Sequence, residues 1–74
     1  MPEDDDAIEM IPVVSSHIGA VGWKEGTLQV DFNNGTSYEY SGVPEDEFDN
    51  LREASSVGGY FNQHIKGSYR GTKL

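Results

Sequence analysis

The chain has 74 residues, of which 35% are hydrophobic, with 9 glycines and no cysteine; it can build one small domain with a thin core, and a disulfide framework or thiolate metal site is excluded. Thirteen acids against five bases give a formal charge of −8, so the long-range attraction that dominates generic DNA binding is missing. No apolar run nears the ~20 residues that cross a bilayer, and Met1 is followed by acids, so the cytoplasm is the expected compartment and no membrane partner is expected.

Residues 1–12 read as an acidic, flexible N-terminal tail: Glu3, Asp4, Asp5, Asp6 and Glu9 occur without a base, and Pro12 restricts its own stretch of chain to an extended lead-in. Such a tail is a candidate surface for a basic protein partner. One domain is expected over residues 13–70, with 71–74 as a C-terminal tail. The first strand is expected over Ile18-Gly-Ala-Val-Gly-Trp23, with a Lys24-Glu25-Gly26 turn after it. Ile18 and Ala20 share one parity while Val21 and Trp23 take the other. Either Gly19 or Gly22 forms a bulge, or Val21 and Trp23 face solvent.

The segment from Leu28 to Tyr40 carries the strongest hairpin signal. Leu28, Val30 and Phe32 alternate with Gln29 and Asp31, Asn33-Asn34-Gly35 interrupts, and Tyr38 and Tyr40 resume the pattern. A two-residue Asn34-Gly35 loop would put the tyrosines on the face away from Leu28 and Val30. A three-residue loop with Gly35 left-handed sets Val30 opposite Tyr38 and Leu28 opposite Tyr40, and burial favours it because the apolar side chains then share one face. Tyr38 and Tyr40 are accordingly read as structural.

Pro44 followed by Glu45, Asp46 and Glu47 is a good helix start, with Phe48, Leu51 and Ala54 as the buried stripe. A second helix is expected after Ser55 or Ser56, burying Val57, Phe61 and Ile65 and stopping at Gly67. The expected fold is α+β: a three-stranded antiparallel meander followed by two short helices packed on one face, the other face open.

Nothing in the pattern reads as an active site, a cofactor site or a metal site. His17 and His64 lack zinc-ligand spacing, Glu45 to Asp49 do not span a calcium loop, and Ser15 and Ser16 lack a nucleophile's partners. Ser55-Ser56-Val57-Gly58-Gly59 is more informative. Two glycines in a helical first turn cost about 1 kcal/mol each, which close backbone packing would offset. Alternatively they keep a helix start clear for a phosphate or carboxylate beside the serine hydroxyls. Lys66 and Arg70 are basic candidates, although rise alone puts Lys66 about 15 Å from the helix start. Trp23 and Tyr60 are candidate stacking surfaces for bases.

Val14-Ser15-Ser16, Val21-Gly22-Trp23, Asn34-Gly35, Tyr38-Glu39-Tyr40, Val43-Pro44 and Ala54-Ser55-x-x-Gly58-x-Tyr60-Phe61-Asn62-x-x-Ile65-Lys66 together resemble the KTSC domain family. That family is named for a module at the C-terminus of some lysyl-tRNA synthetases and also occurs alone in small bacterial and phage proteins. The resemblance implies an RNA-binding role without catalytic residues, and marks Tyr38, Tyr40, Tyr60, Asn62 and Lys66 as family-like positions. The first functional expectation is a non-enzymatic module for RNA or a phosphate ligand, with Trp23, Ser55, Ser56, Gly58, Gly59, Tyr60, Asn62, Lys66 and Arg70 as candidate contacts. The second is a protein-interaction module using the acidic surface, as in a phage or bacterial accessory protein.

Overall fold

Five strands, rather than three, form the antiparallel sheet. The computed structural model describes residues 8–74; the acids Glu3 to Asp6 of the expected tail lie outside the described residues. Strands β1 (Ile11–Pro12), β2 (Ile18–Lys24), β3 (Thr27–Phe32), β4 (Ser37–Ser41) and β5 (Gly71–Lys73) lie side by side in chain order. The meander β2-β3-β4 is the expected core of the sheet. The two additional strands are two and three residues long and sit at its edges. Neither has a readable alternating pattern, and both form because a neighbour is already in place. Pro12 suits an edge because it has no N–H to give to a further strand.

Between β2 and β3 the pairs are Ile18 with Phe32 but Ala20 with Asp31, so Gly19 is the extra residue of a bulge. The bulge resolves the parity conflict, placing Ile18, Val21 and Trp23 on one face. Lys24 pairs with Thr27 across a two-residue turn in which Glu25 and Gly26 have φ of 52° and 87°. Across β3 and β4, Val30 faces Tyr38 and Leu28 faces Tyr40. The Phe32 N–H donates to the Thr36 carbonyl and Gly35 takes φ 92°, so Asn33-Asn34-Gly35 forms the three-residue connection.

Helix α1 (Glu45–Glu53) begins after Pro44, which takes the cap position with ψ 154°. The Pro44 carbonyl accepts from the N–H groups of Glu47 and Phe48. Phe48 and Leu51 are buried, while Ala54 lies past the helix end and is half-buried. The second helical run starts as α2 (Val57–Tyr60) and continues as a π-helical turn (Phe61–Ile65), in which the Lys66 N–H donates to the Phe61 carbonyl. In a regular α-helix, residues four apart drift by about 40° around the axis. The wider turn cancels that drift, so Val57, Phe61 and Ile65 all stay buried.

Both helices cover the face that carries Ile18, Val21, Leu28, Val30 and Tyr40, completing one core with Val43. The opposite face is not fully open. Gly22 is buried there, and a Cβ at this position would fall 2.5 Å from Ile8 Cγ2, 2.6 Å from the Glu9 carbonyl oxygen and 2.8 Å from Met10 Sδ. The segment 8–10 therefore crosses the back of the sheet where only a glycine leaves room. At the edge, a Cβ on Gly71 would lie 2.5 Å from the Tyr40 ring, so glycine at 71 lets β5 dock flat over that ring.

Candidate functional site

Two loops that are far apart in sequence face each other across a groove of about 630 Å³. One wall is the β1–β2 connection, Val14 to His17, and the other runs from Ser55 to Gly59, with Asn62 and Lys66 further along the helical run. Ile18, Phe32, Tyr38, Val57 and Phe61 form an apolar floor. Phe32 is fixed edge-on to Tyr38, with ring centroids 5.9 Å apart, and to Phe61 at 5.5 Å.

The first wall is shaped by hydrogen bonds. Ser15 Oγ accepts from the N–H groups of His17 at 3.2 Å and Ile18 at 3.3 Å, a turn built on the serine side chain. Asn33 fastens that turn to the hairpin tip: its N–H donates to the His17 carbonyl at 2.8 Å and its Nδ2 to the Ser15 carbonyl at 3.1 Å. Ser16 Oγ lies 3.2 Å from His17 Nδ1. On the second wall Ser56 caps α2, its Oγ accepting from the Gly59 N–H at 3.1 Å.

These bonds decide the polarity of the groove. A serine hydroxyl whose oxygen accepts from the backbone still has its own hydrogen to give. Ser15 and Ser56 are therefore set up as donors, joined by Asn62 and by the Lys66 ammonium. Among the described residues, no carboxylate lines the groove. The nearest equivalent to a backbone anion cradle is partly closed, since the Gly59 N–H is already bonded to Ser56. The two glycines also differ. A Cβ at Gly59 would come within 2.9 Å of Ser56 Oγ and disturb the cap, whereas one at Gly58 would lie 3.5 Å from Ser15 Oγ, an ordinary contact. Close packing accounts for Gly59 and does not account for Gly58.

Six of the sequence candidates, Ser55, Ser56, Gly58, Gly59, Asn62 and Lys66, come together here. Ser56 and Lys66 both line the groove because it runs along the helical segment, with the rise between them still in place. Trp23 is elsewhere: it is half-buried, packs against the core and donates from Nε1 to the Val43 carbonyl at 2.7 Å. Tyr60 is outside the groove and stacks on His64 with centroids 4.2 Å apart. Burial and then the Glu47 carboxylate raise its phenol above the ordinary value. Arg70 is exposed, and its carbonyl accepts from the Ser41 N–H at 3.3 Å. Tyr40 is buried at 6% exposure, its phenol raised by burial and then by Tyr38, while half-buried Tyr38 is both a core partner and part of the groove floor. The wall from Val14 to His17 is the part that residue patterns did not reveal.

The KTSC domain family matches residues 14–69, which include both walls and the floor of the groove. The chain belongs to the KTSC family. The crystal structure of a KTSC domain protein from Yersinia pestis superposes with a TM-score of 0.84 at 35% identity, covering 92% of this chain and 99% of that one. A protein of Tsukamurella paurometabola is 39% identical over 67 residues, spanning 88% of this chain and all of its own length. A lysine–tRNA ligase of Nostoc punctiforme is 39% identical over 51 residues; the match spans 69% of this chain and 9% of the ligase. Among the described residues of this KTSC domain, no group of three or more His, Cys, Asp or Glu side chains could hold a metal ion, and no helix is long and apolar enough to cross a membrane.

Proposed function

We propose that this KTSC domain is a non-enzymatic binding module whose groove takes a phosphate-bearing ligand, with RNA as its ligand class. The observation that carries this reading is local: in a chain of charge −8, the groove has hydroxyl, amide and ammonium donors and, among the described residues, no carboxylate. Such a lining favours an acceptor-rich anion, and its aromatic floor suits a base or another flat apolar group. The Nostoc relative, named as a lysine–tRNA ligase, supports RNA over other phosphate compounds, because a domain of this family is there part of an enzyme that handles tRNA.

The direct test is an NMR titration of the whole chain with short single-stranded RNA and with tRNA at low salt. Amide shifts are expected along Ser15 to Ile18, Ser55 to Asn62 and at Lys66, with little change at Trp23. Absence of shifts along both walls with every RNA would reject the reading. The alternative is a protein-interaction module that presents carboxylates to a basic partner, and exposed Glu45, Asp46 and Glu53 on α1 favour it. Pull-down of such a partner by the whole chain, and its loss on removing residues 1–10, would support this alternative.

A further inference from the structure

A second concavity of about 390 Å³ continues the groove toward the hairpin tip, lined by Ser16, His17, Phe32, Asn33 and Asn34. It shares Ser16, His17 and Phe32 with the main groove. Each volume falls in the ~300–1,000 Å³ range of small-ligand sites. Phe32 thus stands at the junction, and its edge-on contacts with Tyr38 and Phe61 hold it as a fixed platform for both sides. In the second concavity Asn34 Oδ1 accepts from the Thr36 N–H at 3.0 Å, which leaves the amide hydrogens of Asn34 free to donate. Again, among the described residues, no carboxylate lines the space.

The charge pattern limits what can extend beyond these two spaces. Lys66 is the one lysine or arginine lining either of them, among the described residues. Outside them the chain is strongly acidic, with Glu45, Asp46, Glu47, Asp49 and Glu53 on α1 alone. A phosphate beyond these two spaces therefore finds no second cation in their lining.

Resting on the proposed RNA function, we infer that the site reads a short segment of two nucleotides, one in each concavity, and that additional strand adds no affinity. Phe32 provides the shared stacking surface, Lys66 holds a phosphate while the serine hydroxyls meet acceptors further along the main groove, and the Asn34 amide meets a base edge beyond Phe32. This arrangement differs from a polyanion-binding surface, which gains affinity with every neutralised phosphate. For single strands the logarithm of affinity falls with the logarithm of salt by about 0.7 per phosphate neutralised. With one obligate cation in the site, the slope should be about −0.7 and should not steepen with length.

The test is a titration of the full chain with AMP, a 5′-phosphorylated diadenylate and a hexa-adenylate, each followed by amide shifts at several salt concentrations. The dinucleotide should bind about tenfold more tightly than AMP, equivalent to about 1.4 kcal/mol, and within about twofold of the hexamer. Its shifts should extend to Asn33 and Asn34, which line only the second concavity, whereas those of AMP stay in one concavity. Affinity that climbs from dinucleotide to hexamer, or a slope steeper than about −2, overturns the two-unit site and leaves RNA binding intact. Equal affinity for AMP and the dinucleotide likewise overturns it alone. Absence of shifts along the walls with all three rejects the RNA reading as well.

Discussion

Helix α1 and the run from Val57 to Ile65 cover the same sheet face, but they are built on opposite terms. The first has acids at its positive end, Arg52 near its negative end and an Arg52–Asp49 pair at 3.3 Å, all favourable to an isolated helix. It buries Phe48 and Leu51 and contributes nothing to the groove. The second begins with two glycines near its start, has four α-helical residues and then widens into a π turn. It buries Val57, Phe61 and Ile65, and it also supplies Ser56, Gly58, Gly59, Asn62 and Lys66 to the groove wall. The locally favoured helix is support. The locally disfavoured one is held by tertiary contacts and is free to shape a site, a pattern common for π turns and rule-breaking segments.

The largest way to break this division is at the support helix. Leu51 is fully buried, and Leu51→Ala should cost about 2–5 kcal/mol in urea unfolding, a large part of the total for so short a chain. A loss below about 1 kcal/mol would mean that α1 is not essential to the core. Next comes the cap. Ser56→Ala should cost about 0.5–2 kcal/mol whereas Ser56→Gly should cost only a few tenths. Both remove the hydroxyl donor, so equal losses of RNA affinity would separate its role in the groove from its role in the helix.

Gly58→Ala sharpens the comparison from the other side. Its Cβ would make an ordinary contact with Ser15 Oγ, so thermal unfolding should show a gain of up to about 1 kcal/mol from helix propensity, while affinity falls as the methyl group enters the groove. A gain in stability with unchanged affinity would remove Gly58 from the site.

The smallest effect concerns pH. Tyr40 and Tyr60 both have phenols raised above the ordinary value of 10.0, first by burial. The folded state therefore holds these protons more tightly than the unfolded chain. Their contribution is complete below pH 10, about the unfolded value, and is lost as pH rises through the folded values. Unfolding followed from pH 9 to pH 11.5 should show falling stability, and Tyr60→Phe should flatten the fall by removing the phenolate that would form beside Glu47. An unchanged slope in Tyr60→Phe and Tyr40→Phe would argue against that assignment.

The meander, the Leu28–Tyr40 register and α1 are legible in the sequence because each is a local pattern: alternation, a turn with Gly35, and acids after a proline. The edge strands are not, because Ile11–Pro12 and Gly71–Lys73 pair only once β2 and β4 exist. The candidate site was half legible. Gly58 and Gly59 stand out against helix propensity, which directs attention to one wall. The opposite wall depends on Ser15 hydrogen bonds and the distant Asn33, neither of which spacing encodes, although the bulge at Gly19 beside it shows in the parity conflict of β2. Arg70 and Trp23 are candidates by residue type alone. Their surroundings take them elsewhere.

Gly22 has a practical consequence for handling the molecule. Because it admits residues 8–10 to the back of the sheet, this segment lies on the face opposite the one that the helices cover. A dye coupled at the exposed position 9 sits behind the sheet and leaves the groove facing the sample.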